Sequence, residues 1–175
     1  NTIVRLQVGQ PVGSFYGYQV AGVFQNAAEV AAAPSQNGKT VGGFKFADLD
    51  GNGLIDDRDK TFLGSPIPKF TYGFGFNVNI SDFDLGVDFQ GVHGNKIYNY
   101  NREQRYGNES WDLDIYENRW HGAGTSNTYA MITNDQSIIL PNSFYVEDGS
   151  FFRIRNIILW YNFGKGITQA MNIQK

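Results

Sequence analysis

The sequence contains no cysteine. That excludes a disulfide framework and any thiolate metal site. Charge is scarce at 18% and nearly balanced, with 14 Lys plus Arg against 17 Asp plus Glu, so nothing in it suggests nucleic acid. No run approaches the roughly 18 apolar residues of a transmembrane helix. Only two histidines occur, His93 and His121, each followed by Gly and without a ligand partner at helical spacing. Both are expected to be plain surface residues. A nucleophile elbow, a P-loop and a dinucleotide fingerprint are all missing. Glu103, Glu109, Asp112, Asp114 and Glu117 share one polar stretch, but no spacing fixes two of them as a glycosidase pair. A solvated acidic face is the expectation, and no enzyme is expected. The Asn108-Glu109-Ser110 sequon is read as chance.

What is abundant is aromatic and small: 14 Phe, 10 Tyr and 21 Gly. Such composition favours an all-β, mainly antiparallel fold. From Phe70 to Ile80 a large apolar residue stands at every second position: Phe70, Tyr72, Phe74, Phe76, Val78 and Ile80. Thr71, Gly73, Gly75, Asn77 and Asn79 fill the alternate places. Period two requires a strand, with one greasy face and one small, polar face. About eleven residues is the length of a tilted strand crossing a bilayer, with lipid on one side and a polar lumen on the other. An ordinary β-sandwich strand would read the same way. The next segment favours the barrel. Ser81-Asp82 forms a tight link, and Phe83, Leu85, Val87 and Phe89 then alternate with Asp84, Gly86, Asp88 and Gln90. The pair reads as a hairpin over 69–80 and 83–92. Asp84 and Asp88 suit a water-facing lumen better than a dry core.

Residues 1–8 alternate loosely, as at a strand end. Residues 9–22 are turn-rich. A short helix is expected within 23–33, with Asn26 as N-cap and Glu29 completing a capping box. Residues 34–43 read as a loop and 44–47 as a short strand. From 94 to 149 the periodicity dissolves into a long polar segment rich in Tyr, Trp and Asn, the kind that barrels place outside the cell. A strand returns over 150–163. Phe152 and Ile154 share one phase, and Ile157, Leu159, Tyr161 and Phe163 the other. The slip near Asn156 predicts a β-bulge. Gly164-Lys165-Gly166 reads as a turn. The chain lacks an initiator Met and a signal peptide, and a piece of a longer protein is expected.

Asp48 to Asp59 matches an EF-hand-type calcium loop. Oxygen ligands fall at positions 1, 3, 5, 7, 9 and 12, with Gly at 6. These are Asp48, Asp50, Asn52, Leu54 through its carbonyl, Asp56 and Asp59, with Gly53 at the turn. Asp rather than Glu at position 12 weakens bidentate ligation, and no convincing helix flanks the loop. A structural Ca2+ is expected, and an acidic solvated turn is the alternative.

Several stretches together resemble the C-terminal barrel region of the SusC/RagA family of TonB-linked outer-membrane proteins of Bacteroidetes. They are Gly9 to Tyr18, Gly22-Val23-Phe24-Gln25, the acidic loop followed by Gly64 to Gly73, and Phe89 to Asn99. Arg119-Trp120, Gly124-Thr125-Ser126 and Val146 to Ile157 complete the series. The resemblance covers nearly all of residues 1–175. It implies a fragment of a barrel of about 22 strands with an N-terminal plug. It also implies a location in the bacterial outer membrane, contact with its lipid, TonB as energy source through a region outside this chain, and a SusD-like surface lipoprotein as partner. The expected cargo is an oligosaccharide or a peptide. A secreted, calcium-stabilised β module that binds carbohydrate or protein is the alternative. Tyr100, Tyr106, Trp111, Tyr116 and Trp120 are the aromatics expected to touch partner or substrate, with packing or partner contact ahead of substrate contact.

Overall fold

The computed structural model describes residues 3–102, 110–133 and 140–164. They divide into two compact units. One comprises residues 1–67 and 95–148, the other 68–94 and 149–175. Among the described residues no helix is long and apolar enough to cross a membrane, which leaves spanning by strands open.

The second unit is a three-stranded antiparallel sheet. The chain runs through β5 (Phe70–Ile80), β6 (Phe83–His93) and β9 (Phe151–Tyr161), each 11 residues long, with β6 in the centre. The predicted hairpin is present, with Phe70 opposite His93 and Ile80 opposite Phe83. Its two-residue turn carries Ser81 at φ 54°, the positive φ that tight hairpin turns need. The register puts Phe74, Phe89 and Phe152 on one face. Their rings stack at 5.0 Å across β5–β6 and 5.4 Å across β6–β9. This face is open, with Phe74 57% exposed. The predicted bulge falls where the phase slips. Asp88 pairs with Asn156 and Phe89 with Ile154, so Arg155 is the extra residue. Without it, either Arg153 or Ile157 would stand on the wrong face.

The first unit is built from short ladders. β1 (Phe15–Tyr18) pairs with β4 (Lys60–Gly64), and β2 (Val20–Val23) pairs with β3 (Phe44–Phe46). β7 (Lys96–Tyr98) pairs with β8 (Val146–Asp148). Tyr18, Val23, Phe44, Phe46 and Ala130 form its core, and Trp120, Leu140 and Phe144 pack against it. Residues 94–149 are therefore not the structureless segment expected from the lost periodicity. They contribute two strands, a helix α2 (Leu113–Asn118) and core side chains.

The helix α1 is shorter than the sequence suggested, at Ala27–Ala32. Val23 ends β2, and Phe24 is fixed in extended pairing, donating to the Gly43 carbonyl and accepting from Gly42 N–H. The helix cannot begin until both are past. Asn26 caps it by accepting from Glu29 N–H at 2.9 Å. Glu29 reaches back to Gln25 N–H at 3.1 Å, one residue before the cap. In place of a strand, the described part of the N-terminal segment makes an isolated bridge, Val4 to Phe15, flanked by hydrogen bonds between Arg5 and Ser14 and between Ile3 and Tyr16.

Candidate functional site

The acidic loop is wound tightly by its own Asp and Asn side chains. Asp48 accepts from the backbone N–H of Gly51 at 2.7 Å, Asn52 at 3.2 Å and Gly53 at 2.8 Å. Gly51 and Gly53 hold φ of 71° and 81°, which side chains disfavour. Asp50 accepts from Asn52, and Asn52 accepts from Leu54 N–H at 2.7 Å. Asp59 is fully buried, taking Leu49 N–H on one oxygen at 2.8 Å and Asp56 N–H on the other at 2.9 Å.

Carboxylate oxygens of Asp48, Asp50 and Asp59 lie within 4.8 Å of one another. These three oxygens fit the inner half of a hard-cation site. Asp56 is turned elsewhere. It caps the short helical turn Asp57–Asp59 and chelates the Arg58 guanidinium, at 2.8 Å to Nη2. Arg58 also lies 3.6 Å from Asp50. Asn52 spends its side-chain oxygen on Leu54. Of the six residues read as ligands, three converge and three are engaged or peripheral. The backbone donors, Gly53 first, hold the Asp48 carboxyl below its ordinary range. The Arg58 side chain does the same for Asp56.

The expected contact aromatics separate into different environments. Trp120 packs against the core and donates from Nε1 to Gln25 at 3.2 Å. Tyr100 is 62% exposed, and its ring lies 6.4 Å from Tyr98. Tyr116 is 51% exposed, on α2, with the Arg119 guanidinium 3.9 Å above its ring. Trp111 is half-buried. Tyr106 lies outside the described residues. Of the carboxylates, Asp114 accepts from Tyr129 Oη at 2.9 Å and stands 3.7 Å from Arg102, which also pairs with Glu147 at 2.9 Å. Asp112 caps α2. Glu103 and Glu109 lie outside the described residues. Sequence reasoning missed Arg102, which ties two acids and the Tyr129 and Phe144 rings together. Nothing in its local sequence signals that role.

His121 is exposed, as expected of a surface residue. His93 sits on the apolar face of the sheet, with its ring 5.2 Å from Phe70. On the opposite face Asp84 is clamped by carboxamides, Asn79 on one oxygen and Asn162 on the other at 2.9 Å.

Three bilayer-length strands, one aromatic face and one polar face define a segment of a β-barrel wall. The comparisons agree. No protein-family model matches the sequence. The chain is 33% identical over 161 residues to TonB-dependent receptor P26 of Formosa agariphila, covering 90% of this chain and 16% of that protein. It is 26% identical over 164 residues to TonB-dependent receptor SusC of Bacteroides thetaiotaomicron, covering 93% of this chain and 15% of that protein. The fold matches the RagAB peptide importer in its closed-closed state with a TM-score of 0.60 at 19% identity, over 94% of this chain and 19% of that one. The chain belongs to the TonB-dependent receptors and resembles SusC among them. It spans about one-sixth of the length of these curated relatives.

Proposed function

We propose that this chain is part of the wall and cell-surface loops of an outer-membrane transporter. The transporter would import an oligosaccharide or peptide with TonB energy and a SusD-like lipoprotein. The observation that supports it best is the two-faced sheet. A stripe of Phe, Tyr, Val, Leu and Ile runs across three strands with most of its rings open, while Asn, Asp and Gly predominate on the reverse of β5 and β6. In water such a stripe would drive aggregation; against lipid tails it is at rest. The tight Ser81-Asp82 turn marks the periplasmic end in this reading. Residues 94–149 would then be a cell-surface segment.

A structural Ca2+ on the acidic loop is part of the same reading. Asp48, Asp50 and Asp59 would hold it, and the ion would relieve their mutual repulsion. Its role would be to pin a surface loop rather than to perform chemistry.

The experiment is deletion of the gene encoding this chain, with growth measured on defined oligosaccharides and on peptides as sole carbon source. Loss of growth on one nutrient, restored by the intact gene, is expected. Unchanged growth on all of them, with no paralogue induced, overturns the transporter reading.

A further inference from the structure

The dipeptide Asn-Gly occurs twice in the sequence, at Asn37-Gly38 and at Asn52-Gly53. Glycine leaves the Asn carboxamide open to attack by the next backbone nitrogen, because no side chain stands in the way. The fold treats the two pairs in opposite ways. Asn37, which is exposed, and Gly38 are the central residues of a turn closed by Lys39 N–H donating to the Gln36 carbonyl at 3.3 Å, with Gly38 at φ 67°. Neither the Asn37 carboxamide nor the Gly38 N–H is engaged among the described residues. At the second pair every reacting group is held. Gly53 N–H donates to Asp48 at 2.8 Å. The Asn52 carboxamide accepts from Leu54 N–H at 2.7 Å and donates to Asp50 at 2.9 Å.

We infer that Asn37 is a modification site, converting in the folded receptor through a cyclic imide, while the fold protects Asn52. The inference depends on neither the transport reading nor bound calcium. The Gly38 nitrogen attacks Cγ of Asn37, and an N–C bond forms. The Cγ–Nδ2 bond breaks, and Nδ2 leaves as ammonia carrying the proton that Gly38 gave up. Water then adds to one of the two imide carbonyls and opens the ring. One direction leaves an aspartyl residue. The other leaves an isoaspartyl residue, whose backbone runs through Cβ and Cγ. No oxidant or reductant takes part. The nucleophile is the deprotonated amide, and a carboxylate beside it opposes that charge. At Gly53 the Asp48 carboxylate stands there, and its hydrogen bond must also be broken. Gly38 N–H has no such partner to lose among the described residues. The consequence is local. The neighbouring Gln36 carboxamide is clasped to β3, donating to the Phe44 carbonyl at 2.8 Å and accepting from Phe46 N–H at 3.0 Å. An isoaspartyl link adds one backbone atom to the turn that sets Gln36, so the clasp loosens beside the core residues Phe44 and Phe46.

The test uses the full-length receptor, purified in detergent and incubated at mildly alkaline pH with a calcium chelator, so that no bound ion protects either pair. Samples are cleaved at acid pH, and mass spectrometry reads the converted fraction of Asn37 and of Asn52 over time. Methylation by protein isoaspartyl methyltransferase separates the isoaspartyl product from the aspartyl one. The expected result is conversion of Asn37 at least about tenfold faster than Asn52, the rate difference that one hydrogen bond of ordinary net strength produces. In denaturant the two rates converge, because both pairs are then the same dipeptide in an open chain. Equal or faster conversion of Asn52 in the folded receptor overturns the inference. So does a folded receptor that keeps Asn37 intact while the denatured one converts it. A rate gap that persists in denaturant overturns the protection by the fold. In folded receptor enriched in the isoaspartyl form, hydrogen exchange at the Phe46 amide rises, and exchange unchanged from the fresh receptor overturns the loosened clasp.

Discussion

The phenol ring of Tyr72 lies directly over Gly91, its partner across β5 and β6, in the space where a Cβ on Gly91 would stand. The glycine leaves a bare patch on the apolar face, and the aromatic covers it. The arrangement predicts a coupled pair. Gly91→Ala should displace the ring and cost about 1–3 kcal/mol, as overpacking does. In a Tyr72→Ala background the same substitution should cost less than half as much. Unfolding of the intact receptor in denaturant, read as a double-mutant cycle, measures the difference. Additive costs would show that the ring and the glycine are independent.

The two faces of β5 predict opposite tolerance to charge. Phe76 and Asn77 are neighbours in sequence at nearly the same depth, on opposite faces. Phe76→Arg should cost about 2–4 kcal/mol if it lies near the bilayer midplane. Asn77→Arg should cost little, because its guanidinium stays in water. Outer-membrane abundance of the two variants is the measurement, and equal abundance would remove the lipid assignment of the Phe76 face.

These faces were legible in the sequence because a strand's side-chain period is two and its register is set by a short turn. Once Phe70 to Ile80 alternates and Ser81-Asp82 closes the hairpin, every facing pair follows. The bulge was legible for the same reason, since Arg155 must be absorbed for Ile157 to return to the apolar phase. The other unit was not legible. β1 and β4 are four and five residues long and lie over 40 residues apart in sequence, so neither shows a period and nothing local pairs them. In the acidic loop the Asp-Gly and Asn-Gly pairs pointed to a tight turn, and Gly51 and Gly53 make one at positive φ. The spacing did not show that Asp56 would face Arg58, because a long side chain two residues away can reach into the loop or out to solvent.

Calcium binding can be read directly. Calorimetry on the intact receptor should detect a site at millimolar or lower Ca2+, lost in Asp48→Ala and in Asp50→Ala. Asp56→Ala should retain it more fully, because Asp56 is already paired with Arg58. Absence of heat at millimolar calcium, or equal loss in all three variants, would contradict the assignment of the inner ligands to Asp48, Asp50 and Asp59.

Acid should loosen the same loop. The Asp48 and Asp56 carboxyls both lie below their ordinary value of 3.8, the first through backbone donors and the second through Arg58. A depressed carboxyl contributes order that is fully present above the unfolded value and is lost as pH falls through the lower folded value. Calcium-free receptor should therefore keep the Gly51, Asn52 and Gly53 amides protected at neutral pH and lose that protection only below about pH 4. Hydrogen exchange against pH reads this. Protection already lost near pH 6 would mean that these carboxylates do not hold the turn.

The aromatics of residues 94–149 divide into a packing set and an exposed set, and the division predicts different phenotypes. Trp120 touches the core that contains Phe44 and Phe46, and it sits over Gly42, where a Cβ would come within 2.5 Å of the indole. Trp120→Ala should destabilise the unit by about 3 kcal/mol, the lower end for truncating a large aromatic, because Trp120 is partly rather than fully buried. Tyr100 and Tyr116 are open to solvent, so Tyr100→Ala and Tyr116→Ala should leave stability within about 0.5 kcal/mol of the parent. If these rings meet the lipoprotein or the cargo, those two variants should instead slow growth on the transported nutrient, with outer-membrane abundance unchanged. Deleting the whole segment cannot make this distinction, because it would also remove Ala130, Leu140 and Phe144 from the core. Thermal unfolding and growth, measured on the same single variants, separate packing from recognition. Normal uptake in the Tyr100→Ala, Tyr116→Ala double variant would take both rings out of the recognition surface.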